Sequence, residues 1–179
     1  MTDTQHATHP LPSNEDRLEP GFGDAEWPAL QAWLDYHRAT VPWKLTGLTA
    51  EQARRVMLPS GLSMLGVVKH LAYVERNWFH VRFAGNERGP VPWTAEDPDA
   101  DFRAEPGETT ESILAFYAAE CDKSRVAVAD ASPEDLAKRP DRHQGLTLRW
   151  IMLHMIEETA RHNGHLDVLR ELIDGGGGD

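Results

Sequence analysis

Residues 147–173 predict one amphipathic helix of about seven turns, and what lies on its apolar face limits the folds open to the chain. Winding at about 100° per residue puts Ile151, His154, Met155, Glu158, His162, His165, Leu169, Leu172 and Ile173 on one stripe. A helix buries such a stripe against its neighbours. A carboxylate enters that kind of interior only when it is paired or coordinates a metal. Glu158 and His162 are four residues apart, so their side chains stand one above the other on the same face. Two donors on one rigid rod can chelate one ion. The pattern points to a helical bundle with a metal site in its interior.

A bundle completes such a site from a facing helix. The best candidate is His70, which winding places on the stripe of a second long helix with Val67, Leu71, Val74, Trp78 and Val81. Imidazole, carboxylate and imidazole suit catalytic zinc, which takes three protein ligands and leaves one position open. They also suit non-haem iron, nickel or manganese. His154 and His162 cannot share one ion, because eight residues span roughly 12 Å of helix and a metal–nitrogen bond is about 2 Å. His154 with Glu158 and His162 with His165 remain competing pairs. A Glu158–His162 ion pair without metal carries the same sequence signature. Arg161 sits at the edge of the stripe, either as a solvated surface arginine or as a group for an anionic substrate. Trp78 and Trp93 either anchor the core or wall a pocket.

Four long helices are predicted. The first begins near Asp24, read as its cap, and runs toward Pro42. A short one follows Thr49, which forms a capping-box pattern with Gln52. The second long helix runs from Leu62 or Ser63 to about Phe83, and the third from about Thr109 to Ala129. Ser132-Pro133 opens one further turn. The connection 84–108 is long for a compact domain, which marks it as functional or mobile. Residues 1–23 read as a loose arm, 24–174 as the bundle domain and 175–179 as a tail. Alternating segments that would signal a sheet are absent.

The chain of 179 residues is long enough for one domain with a substantial core. A net charge of −11 disfavours phosphate backbones and anionic membrane surfaces alike. No apolar run approaches a membrane span, and no basic and apolar leader opens the sequence. The only cysteine, Cys121, excludes an internal disulfide and reads as a small core residue rather than a nucleophile. A cytoplasmic protein is expected. Met152, Leu153 and Ile156 add apolar surface on the back of the last helix. A homodimer would cover it, and so would the short helices or the 84–108 loop.

The stretch Leu62-Ser-Met-Leu-Gly-Val-Val-Lys-His70-Leu-Ala-Tyr-Val-Glu75-Arg-Asn-Trp-Phe79 and the stretch Glu158-Thr-Ala-Arg-His162-Asn-Gly-His165-Leu-Asp-Val-Leu-Arg-Glu171 resemble the DinB-like superfamily. The likeness spans about residues 24–173 and is greatest to a largely actinobacterial branch, related to the mycothiol-dependent maleylpyruvate isomerases. The resemblance implies an all-α four-helix bundle of up-down-down-up order with a divalent metal in its core. It matches His70 and His162 to ligands. Glu158 stands where many members have histidine, and the isomerases are similar in using His, Glu and His. His165 stands where many carry glutamine, which suits a residue that positions a ligand or substrate.

The resemblance further implies use of a low-molecular-weight thiol such as mycothiol, attacking an electrophile as the thiolate held at the metal. That chemistry needs no cysteine of the protein. Two alternatives accompany it: metal-dependent hydrolysis with bound water as nucleophile, and a non-enzymatic, stress-related binding protein.

Overall fold

The computed structural model describes residues 17–176. Four long helices and one short one account for the elements anticipated above. They are α1 (Glu26–Trp43), α2 (Ala50–Arg54), α3 (Met64–Glu75), α4 (Thr110–Val128) and α5 (Leu148–Asp174). Among the described residues there is no strand, only an isolated bridge between Leu136 and Thr147. No helix of these residues is long and apolar enough to cross a membrane. Most of the arm expected at 1–23 lies outside the described residues. Its described end returns to α1, where Arg17 donates to Tyr36 Oη at 2.7 Å and to Thr40 Oγ1 at 3.0 Å.

Side-chain caps set most of the helix starts. Thr49 and Gln52 form the reciprocal capping box that begins α2. Ser63, Thr109 and Thr147 each accept a hydrogen bond from the amide three residues on, opening α3, α4 and α5. The expected Asp24 cap does not form: Ala25 is the N-cap of α1, and Asp24 instead accepts from the amide of Gly21. Ser132-Pro133 makes a turn without helix. At the far end Gly175 adopts φ +73°, the left-handed conformation that lets its amide close back on Glu171.

α3 does not continue as an ordinary helix to Phe83. From Arg76 to Phe83 it is π-helical, with Ala84 N bonded to Phe79 O, five residues back. Wider turns rotate less per residue, so the stripe drawn at 100° is only partly kept after Glu75. Phe79 and Phe83 become buried, Val81 stays buried as the stripe expected, and Trp78 is left half-buried.

α1 packs on α5, and α3 packs on both α4 and α5. The core has two apolar halves. One gathers Val41, Leu45, Met64, Leu71, Tyr117 and Leu169, and the other Leu34, Phe79, Leu148, Ile151, Met152 and Met155. Met152, expected on the back of α5, belongs to the second half. Leu172, expected on the buried stripe, is 48% exposed. Between the halves runs a belt of buried polar groups: Arg38 on α1, Glu75 on α3, Ser124 on α4, and Glu158, Thr159, His162 and Asn163 on α5. The Arg38 guanidinium meets Glu75 through two bonds of 2.7 Å.

Candidate metal centre

α5 carries Glu158 and His162 into the interior between Met155 and Leu166, two fully buried side chains. Both are nearly inaccessible, at 7% and 5% exposure. α3 brings His70 to the same point from across the bundle. Nε2 of His70 lies 3.4 Å from Glu158 Oε1, and Nε2 of His162 lies 3.3 Å from the same oxygen. Ligand atoms of the three residues all fall within 4.8 Å of one another. Donors about 2.1 Å from one ion at tetrahedral angles stand about 3.4 Å apart. The two imidazole–carboxylate separations match that spacing, so the donor set fits a divalent ion bound by three side chains.

The second carboxylate oxygen is engaged elsewhere. Arg161 Nη2 donates to Glu158 Oε2 at 2.5 Å, from a guanidinium that is 57% exposed. Oε1 is thus left facing the two imidazoles. Hydrogen bonds to His162 and then His70 hold the Glu158 carboxyl well below the usual carboxylate range, against the opposing effect of burial. Burial disfavours the charged form of His70, but its bonds to Asp101 and Glu158 together outweigh that and raise its pKa.

Asp101 was not among the residues anticipated from sequence. It lies in a short 3-10 turn, Ala100–Phe102, within the long 84–108 connection. Its Oδ2 accepts from Nδ1 of His70 at 2.8 Å. Phe102 stacks on the His70 ring with centroids 3.8 Å apart and planes at 15°. The length of the connection was the sole sequence signal for either residue.

The other candidates divide into two groups. His165 does reach the cluster, its Nδ1 3.3 Å from Nδ1 of His162, on the side of that ring away from Glu158. Burial first, then the charges of His162 and Arg161, lower its pKa. His154 instead turns toward an aromatic group, stacking on Trp150 at 5.2 Å and meeting Trp78 edge-on at 4.6 Å. Neither His154 nor Trp78 joins the three donors. Trp93 packs on Tyr73, not on Trp78.

The mycothiol-S-transferase family matches residues 29–175, a span that includes α3, α5 and all three donors. The chain belongs to that family. Its all-α, DinB-like fold is similar to the crystal structure of a conserved protein from Enterococcus faecalis. The two share 16% identity at a TM-score of 0.61, over 86% of this chain and 100% of that one. Curated proteins offer no match.

Proposed function

We propose that the protein is a divalent-metal-dependent transferase that joins a low-molecular-weight thiol of the mycothiol type to an electrophile. One observation carries the reading: a buried carboxylate oxygen lies 3.3 and 3.4 Å from imidazole nitrogens presented by two different helices. Family membership supplies the thiol. His70, Glu158 and His162 would hold the ion, with zinc the first choice for this donor set.

When bound, the ion supplies the positive charge that lowers the pKa of a thiol and keeps it as a nucleophilic thiolate. The side chains do the rest. Arg161 takes Oε2 of Glu158, so the carboxylate offers a single oxygen inward. His70 and His162 present Nε2 toward that oxygen from either side. Met155 and Leu166 keep water from the flanks of the cluster. The thiol would give its proton to solvent, and its sulfur would form the bond to the electrophilic carbon as the leaving group departs with its electron pair. Cys121 is buried in the core with Tyr117 and Leu71 and takes no part.

Elemental analysis of purified protein beside His70→Ala tests the site. Stoichiometric metal in the first and its loss in the second is the expected result. Activity is tested by removing metal with a chelator and restoring it, while following conjugation of mycothiol to an electrophile. Thiol conjugation that persists after full demetallation rules the mechanism out. Turnover without added thiol points to hydrolysis instead.

A further inference from the structure

We propose that Asp101 is a positioning residue that sets how tightly the His70–Glu158–His162 cluster holds its ion, so that the 84–108 connection is part of the metal site. The inference rests on reading that cluster as a metal centre. A carboxylate has only acceptors to offer an imidazole, so the 2.8 Å bond from Nδ1 of His70 to Asp101 keeps a proton on Nδ1. The atom turned toward Glu158 is then Nε2. Asp101 therefore selects both the nitrogen that faces the cluster and the direction in which its lone pair points once Nε2 is free of a proton. Phe102, stacked on the same ring, opposes its rotation.

The contact is built into the fold from the α3 side as well. Lys69, the neighbour of His70, is 3% exposed and spends its ammonium on the loop. Its Nζ donates to the carbonyl of Arg103 at 2.9 Å and to Glu108 Oε2 at 2.8 Å. Gly66, one turn earlier, has no side chain where the carbonyl of Phe102 lies, and a Cβ there would overlap that oxygen. Arg54 donates to the carbonyls of Ala104 and Glu105 further along. Three residues of α3 and one of α2 thus pin residues 101–108. Asp101 is held at 7% exposure, where a carboxylate without a partner would be costly. A carboxylate behind a metal-bound imidazole raises its basicity, and loss of such a partner typically weakens metal binding 10–100-fold.

The test is zinc affinity of the full chain, measured by competition with a chromophoric chelator, together with the visible spectrum of the cobalt-loaded protein. Asp101→Ala should bind zinc roughly 10–100-fold more weakly than the parent. Asp101→Asn, which keeps an acceptor but loses the charge, should fall between. Both should change the cobalt spectrum, a readout that a purely structural loop residue would leave alone. Asp97→Asn, an exposed site in the same connection, should stay within about twofold. If Asp101→Ala loses helical content, the isosteric Asn variant carries the measurement. Parent-like zinc affinity and cobalt spectrum in a folded Asp101 variant would overturn the inference and leave the metal centre standing. A parent protein that binds no metal, or whose binding survives His70→Ala, would overturn the metal-centre reading and this inference with it.

Discussion

Cys121 and Glu120 are neighbours on α4 whose surroundings push them in opposite directions. Burial, reinforced by the Glu75 carboxylate, pushes the Cys121 thiol well up. The thiolate is the reactive form, so the native protein should present none at neutral pH. A disulfide-exchange reagent at pH 8 should label Cys121 only after denaturant is added, and Cys121→Ala should retain thiol transfer. Labelling of the native protein at the rate of a free thiol would contradict the burial. Glu120 shows the reverse. Burial works against its charge, but Arg76 at 2.9 Å and Lys123 at 2.8 Å outweigh it and lower its pKa from the ordinary 4.5. A lowered native pKa contributes stability that is complete above the unfolded value and fades as pH falls through the native one. The stability gap between the parent and Glu120→Gln should therefore be full at pH 7 and close below about pH 4.5, as read from urea unfolding across pH. At this scale the sequence revealed what helical winding can reach. Glu158, His162 and His70 stood out because side-chain positions on a helix follow from spacing. Asp101 stayed hidden because a loop has no period, and its proximity to His70 depends on how 25 residues cross the bundle.

The elements were legible wherever one side chain fixes a terminus. Thr49, Ser63, Thr109 and Thr147 all cap as their chemistry allows. Misreadings arose where a competing contact won. Asp24 gave its oxygen to Gly21, and the π-helical stretch of 76–83 changed which residues face inward. No propensity anticipates that stretch, since it shows only as a shift of burial from Trp78 to Phe79. Two glycines inside helices make the same distinction measurable. Replacing an interior helical glycine by alanine ordinarily stabilises by about 1 kcal/mol. Gly164 in α5 has open space where a Cβ would go, so Gly164→Ala should gain roughly that amount. Gly66 in α3 would drive its Cβ into the Phe102 carbonyl, which is main chain held by the docked loop. Overpacking of this kind costs about 1–3 kcal/mol, so Gly66→Ala should destabilise despite the better helix former. Urea midpoints of opposite sign for the two variants are the expected outcome. Equal stabilisation by both would mean that the loop is free to move off α3.

For the molecule as a whole, the polar belt means that hydrophobic burial alone does not join the two halves of the core. One link across the belt is the buried Arg38–Glu75 pair. Glu75→Ala leaves the buried Arg38 only the half-exposed Asp35 at 3.0 Å, so it should cost about 3 kcal/mol, the low end for breaking a buried pair, whereas an apolar replacement of both side chains need not. The other link is the cluster between α3 and α5, whose donors come from separate helices and are brought together only in the folded state. An ion bound there stabilises the native state by RT ln(1 + [M]/Kd), about 2.7 kcal/mol at a hundredfold excess over Kd. Zinc added to stripped protein should raise the thermal midpoint by several degrees, chelator should reverse it, and Glu158→Gln should show no shift. The effect should weaken with acid, because protons compete with the ion for the imidazole nitrogens. His70 sharpens this. Its raised pKa means that its bonds to Asp101 and Glu158 stabilise the metal-free fold fully below the ordinary 6.5, and that this contribution is lost as pH rises through the raised value. Acid thus strengthens the metal-free form and weakens ion binding together. The zinc-dependent rise should be largest near pH 8 and nearly gone by about pH 5. A rise that holds constant across that range would place the ion on ligands other than these imidazoles.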